Sequence, residues 1–178
     1  LISLVLATLA CSMNIGGPDY PESEIPISQQ AVESMKSQFK NAIEAGATGN
    51  TVILTVTEAQ ITSLIALKLE SQSDPFFTEP QVHLRNGKMT IYGKATQGYF
   101  WATVKIVVAV GVDEQGQPDI KIESADFGPF PVPSGFSNVF AATIEEAYTG
   151  AVGPVATGFR IEQIGIQDGF MVMAGKVK

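Results

Sequence analysis

Hydrophobic positions recur every three or four residues in three stretches of this chain and alternate in several others. The pattern therefore predicts a mixture of helices and strands. Ser28 is placed to cap a first helix over about 29–45, where Val32, Met35, Phe39 and Ile43 form one narrow apolar stripe. "GATGN" breaks that helix, and the β-branched "TVILTV" (51–56) reads as a strand. Thr57 with Gln60 three residues later is a capping-box pair. It opens a second helix over about 58–72, with Ile61, Leu64, Ile65 and Leu69 on one side and Leu67 beside them. A third helix, about 135–148, follows "PVPSG" and sets Phe136, Val139, Phe140 and Ile144 on its apolar side.

The alternating stretches predict hairpins. "QVHLRNGKMTIYGKA" folds back on Asn86-Gly87, the pair that suits a type I′ turn. Val82, Leu84, Met89, Ile91 and Gly93 share its apolar face, and His83, Arg85, Lys88, Thr90, Tyr92 and Lys94 the polar one. The last twenty residues repeat the arrangement around Asp168-Gly169, with Ile164, Ile166, Met171, Met173 and Gly175 inward. Gly93 and Gly175 take equivalent inward places, where a missing side chain permits a bend or a close approach. Between the hairpins, "YFWATVKIVVAVGV" (99–112) is apolar on both sides, as a central strand is, and turns through "DEQGQPD" into "IKIESADF" (120–127). Short connections make the sheet mostly antiparallel with helices on one face, which is an α+β domain.

The first ten residues, "LISLVLATLA", are uncharged and mostly apolar and run into Cys11. They read as the h-region of a secretory signal. Cys11 matches the lipidated cysteine of a bacterial lipobox, although Thr8 and Leu9 depart from the usual residues of that pattern. A plainly cleaved signal and a membrane anchor remain the other readings of this segment. Residues 12–27, with Gly16-Gly17-Pro18, Pro21, Pro26 and no apolar period, read as a flexible tether. At about 3.3 Å per residue such a tether spans up to roughly 50 Å. The expected organisation is 1–11 signal end, 12–27 tether and 28–178 a single domain.

The net charge of −7, with eleven Lys and Arg scattered along the chain, gives no footprint for nucleic acid. One Cys and one His exclude an internal disulfide framework and a Cys/His zinc site. Catalysis through a Ser-His-Asp or Cys-His arrangement would have to use His83, which sits on the polar face of a hairpin and reads as a surface histidine. No Gly-x-Ser-x-Gly elbow occurs, and the Gly-rich "GAVGPVATG" lacks a P-loop lysine. Asp113-Glu114 and Glu145-Glu146 read as solvated pairs, and Asp119, Glu123 and Asp126 lack calcium-loop spacing. The expectation is a non-enzyme without cofactor or metal.

Four stretches recur in order: "TVILTVTEAQITSLIALKLES", "VHLRNGKMTIYGKA", "FGPFPVPSGFSNVF" and "RIEQIGIQDGFMVMAG". Over roughly 50–178 they resemble small bacterial envelope proteins of the YpmS, YceB and LmeA kind, relatives of the tubular lipid-binding (TULIP) proteins. The resemblance implies a strongly curved, mostly antiparallel sheet wrapped around helices, a half-tube that leaves a channel for lipid chains. It carries no polar ligand-binding residue with it. The expected function is a membrane-tethered extracytoplasmic protein that binds a lipid or other long apolar ligand. Candidate lining residues are Leu64, Ile65, Trp101, Val107, Phe136 and Phe140. The alternative is a structural or interaction module of the envelope with a solid core and a protein partner.

Overall fold

A computed structural model describes residues 12–46, 51–152 and 159–177, with the backbone alone for 145–152. The signal-like segment with Cys11 lies outside the described residues, as do the side chains of Glu145 and Glu146. In chain order the elements are β1 (Met13–Asn14), α1 (Gln29–Gly46), β2 (Thr51–Thr57), α2 (Glu58–Glu70), β3 (Thr78–Arg85) and β4 (Lys88–Gln97). They continue with β5 (Phe100–Val112), β6 (Pro118–Asp126), α3 (Phe136–Val152), β7 (Phe159–Gln167) and β8 (Phe170–Val177). One sheet runs β3-β4-β5-β6 antiparallel, with β1 laid parallel beside the start of β5. The other runs β2-β8-β7, also antiparallel. The fold is α+β, and the larger sheet curls into a half-barrel around the helices.

Helix α2 lies at the centre. Its N-cap, Thr57, accepts a hydrogen bond from the Gln60 amide while the Gln60 side chain accepts one from the Thr57 amide, the capping box expected from sequence. Apolar Ile61, Ile65, Ala66 and Leu69 are buried, and so are polar Gln60, Thr62 and Ser63. The polar burial has a cause in the neighbouring strand. β3 is an edge strand, and its free amides need acceptors. The Leu84 amide donates to Glu58 Oε1 at 2.6 Å, and the Val82 amide donates to Thr62 Oγ1 at 3.0 Å. Four residues of helix rise about 6 Å and two residues of strand about 6.7 Å, so the two spacings match. Thr62→Val should leave the Val82 amide buried without a partner and lower the unfolding free energy by about 1–3 kcal/mol. Thr62→Ser, which keeps the hydroxyl, should lose less, and denaturant melts of the pair measure the difference.

The two similar hairpins meet at one end of the molecule. The Gly169 amide donates to the Leu84 carbonyl at 3.0 Å, the Glu58 amide donates to the Gly169 carbonyl at 3.1 Å, and the Asn86 amide reaches Asp168 Oδ1 at 3.4 Å. Both turns thus close over the N-terminus of α2. Both hairpins also bend at their glycine. The β3–β4 register slips between Thr78 and Gln81, opposite Gly93, and the β7–β8 register slips between Ile161 and Gln163, beside Gly175. A Cβ on Gly175 would stand 2.1 Å from the Arg160 carbonyl oxygen, and one on Gly93 would stand 2.2 Å from the Phe77 ring. The close approach comes from a strand backbone and an aromatic ring. Gly175→Ala forces the β7 backbone to move, at the upper end of the roughly 1–3 kcal/mol of an overpacked core. For a chain of this length that lowers Tm by about 6–12 °C. Gly165→Ala, on the same hairpin with open space around it, should leave Tm nearly unchanged.

Residues 12–27, expected as a flexible tether, instead lie as a strap across the outer face of the larger sheet. The Met13 and Ile15 amides donate to the Tyr99 and Trp101 carbonyls at 2.9 Å, and the Thr103 amide donates to the Gly16 carbonyl at 3.0 Å. Gly17 packs so close that a Cβ would sit 2.4 Å from the Thr103 oxygen. Further along, the Tyr20 hydroxyl donates to the Glu79 carbonyl, Ile25 and the Gln81 side chain exchange two hydrogen bonds, and the Ser28 amide donates to Ser63 Oγ. Backbone pairing needs no apolar period, which is why the sequence pattern is silent here.

Candidate apolar site

The interior divides into two halves along α2. In the half toward the β4–β5 turn, aromatic rings fill the space. Phe136 packs edge-on against Phe76 at 5.3 Å and Phe127 at 5.0 Å, and tilted against Phe140 at 5.5 Å; Phe77 packs tilted against Phe76 at 4.9 Å. Such edge and tilted pairs add about 0.5–1.5 kcal/mol each beyond their burial. Phe77, Phe136 and Phe140 are buried almost completely.

The half toward the paired hairpin turns is different. A cavity of about 90 Å³ lies there, walled by α1, α2 and both sheets. Its wall includes Phe39, Val56, Ile61, Leu64, Ile65, Val110, Ile120, Ile144 and Ile164, and no polar atom is exposed in it. Met35, Met89, Met171 and Met173 also line it, four of the five methionines in the chain. They come from α1, β4 and β8, so three separate elements deliver the same side chain to one space. Methionine is unbranched and adjusts to the shape beside it. The exposed Lys36 is the one charged residue of the lining. An apolar lining of this kind suits apolar rather than polar guests.

The six residues expected to line a cleft separate in the structure. Leu64 and Ile65 are on the cavity wall. Phe136 and Phe140 belong to the aromatic half and do not border the cavity. Trp101 and Val107 lie on the outer face of β5, opposite the buried Ala102, Val104, Ile106 and Val108. Trp101 carries the Lys94 ammonium 5.0 Å from its ring centre. The sequence already groups the methionines of the domain with its phenylalanines as adaptable apolar walls of a cleft. Their inward places at Met35, Met89, Met171 and Met173 on three apolar faces were the available signal.

His83 is neither exposed nor hydrogen-bonded at Nε2, contrary to the surface reading. Its ring stands edge-on to Tyr92 at 5.6 Å, and Nε2 is enclosed without a partner. Asp19, Tyr20 and Pro21 of the strap and Arg85, Thr90 and Tyr92 of the sheet form a shallow pocket with it. Burial lowers its pKa from the ordinary 6.5; the Glu58 carboxylate opposes that shift and the Arg85 guanidinium adds to it. Below pH 6.5 the unfolded chain therefore takes up a proton that the folded chain resists. Stability is fully present above pH 6.5 and falls as pH drops toward the lowered folded-state value. His83 is the only histidine, so His83→Phe should flatten the Tm profile between pH 7.5 and 5. Burial also pushes the Tyr20 phenol up to about 12, helped by Glu79 and Glu24. Among the described residues, no three His, Cys, Asp or Glu side chains converge as a metal site.

No protein-family model matches the chain, and no curated protein matches it in sequence. Among solved structures, a crystal structure of lipopolysaccharide binding protein is similar over 88% of this chain, at 8% sequence identity and a TM-score of 0.30. This chain spans 49% of that protein, about half its length.

Proposed function

We propose that this protein binds a lipid or another long apolar ligand, without catalysis, in the methionine-walled space between α1, α2 and the two sheets. It does so as an extracytoplasmic protein tethered to a membrane through its N-terminal segment, lipidated at Cys11. The observation that carries the reading is the convergence of Met35, Met89, Met171 and Met173 on one wholly apolar cavity. The sequence resemblance to the YpmS, YceB and LmeA group of envelope proteins supports it. At about 90 Å³ the cavity is smaller than the roughly 150 Å³ that admits benzene, so it receives the end of an acyl chain and widens around the rest. Each buried methylene contributes about 0.8 kcal/mol. The widening element is α1, which presents only Val32, Met35 and Phe39 as fully buried apolar side chains.

The aromatic half favours a second reading, a solid-cored interaction module, because interdigitated rings leave no continuous tube. Native mass spectrometry of the full chain, purified in mild detergent, separates the two. One lipid-mass adduct per chain, removed by organic extraction, is the expected result. A chain without adduct that also fails to take up an added acyl probe contradicts ligand binding and leaves the interaction module.

A further inference from the structure

The β4–β5 turn carries Tyr99-Phe100-Trp101 at its tip, and β1 fastens Met13 beside it. Tyr99 is 73% exposed, Met13 60% and Phe100 45%. Met13 pairs with Phe100, and its amide is hydrogen-bonded to the Tyr99 carbonyl, so the three residues sit together at this end of the sheet, with Phe100 on the opposite face of β5 from Trp101. The surrounding sequence is electrically neutral in a protein of net charge −7. Residues 1–18 and 95–104 contain no Asp, Glu, Lys or Arg. The patch begins two residues after Cys11 and three after the apolar run 1–10.

We infer that this tip is a foot that inserts into the interfacial layer of a lipid bilayer and fixes how the domain stands. The inference rests on the tethered reading above and adds the contact surface. Tyrosine and tryptophan suit the headgroup boundary, since each has an apolar body and a polar edge, and Phe100 and Met13 supply the deeper apolar area. The residues of the tip carry no charge themselves, and the Lys94 beside Trp101 is paired with Glu79, so the tip meets a bilayer with less of the repulsion that the acidic remainder would meet on anionic lipid. The strap sets the proposed anchor close to the tip: Met13 and Ile15 are paired to β5, so one residue, Ser12, separates Cys11 from the domain. β4 then runs up from the foot, and from Gln97 to Met89 it sets the cavity up to roughly 27 Å above the membrane contact.

Depth-dependent fluorescence quenching tests the foot. The probe is the full chain in Trp101→Phe background, carrying either Tyr99→Trp or Ile53→Trp, on phosphatidylcholine vesicles with brominated acyl chains. Ile53 is 68% exposed on β2 and is the control. The expected result is several-fold stronger quenching at position 99 than at position 53, with flotation of both chains. A chain that floats but quenches equally at both positions overturns the foot while the tether stands. A chain that does not float overturns both. Fluorescence at position 99 already blue-shifted and shielded from iodide without vesicles assigns the patch to another part of the chain, and also overturns the foot.

Discussion

Phe140→Ala is expected to lower the unfolding free energy by about 3–5 kcal/mol, the range for a fully buried phenylalanine. Phe140 is 1% exposed and touches the Phe76 and Phe136 rings, so its removal opens a void beside rings that are themselves held on several sides. For a chain of this length the loss corresponds to a Tm lowered by about 6–20 °C. The measurement is a thermal or denaturant melt alongside an acyl-probe titration. If Phe140 fills space, stability falls and affinity per folded molecule is preserved. If it lines the ligand path, affinity falls more than stability does.

Leu64→Trp is expected to do the reverse. Leu64 is half-buried on the cavity wall, and an indole there occupies the free volume. Burying the indole against the apolar wall offsets part of the strain of the larger ring. Tm should change little, while ligand binding falls more than tenfold. Such an exchange of function for stability is common where a protein keeps an internal space open. A binding-competent Leu64→Trp chain would place the ligand elsewhere.

Much of this fold is legible because its signals are local. Asn86-Gly87 and Asp168-Gly169 do turn chemistry, Thr57 and Gln60 cap a helix, and alternation marks the buried faces of β3 and β4. The twin hairpins share a turn and, six residues later, a glycine at a register slip. Features that depend on a distant partner are not legible. Thr62 and Ser63 look like the exposed side of α2 until β3 and the strap bring amides to their hydroxyls. The strap is held largely through its own backbone groups, which leave no trace in side-chain pattern. Among the candidate lining residues, Trp101 and Val107 share β5 with a second apolar face, and period two alone does not say which face turns inward. Periodicity likewise sets Phe136 and Phe140 inward without saying whether a ring fills space or borders it. Val139, on the expected apolar side of α3, is 51% exposed.

The central claim is that the methionine-walled cavity receives an apolar chain. Methyl NMR on the full chain labelled at methionine Cε tests it directly, with the fatty acid dodecanoate added below its micelle concentration. Met35, Met89, Met171 and Met173 line the cavity and Met13 stands apart at the foot, so the five methyls carry their own control. The account predicts saturable shifts of the four cavity methyls with Met13 unmoved. Four unmoved methyls, or five that drift together without saturating, would contradict it.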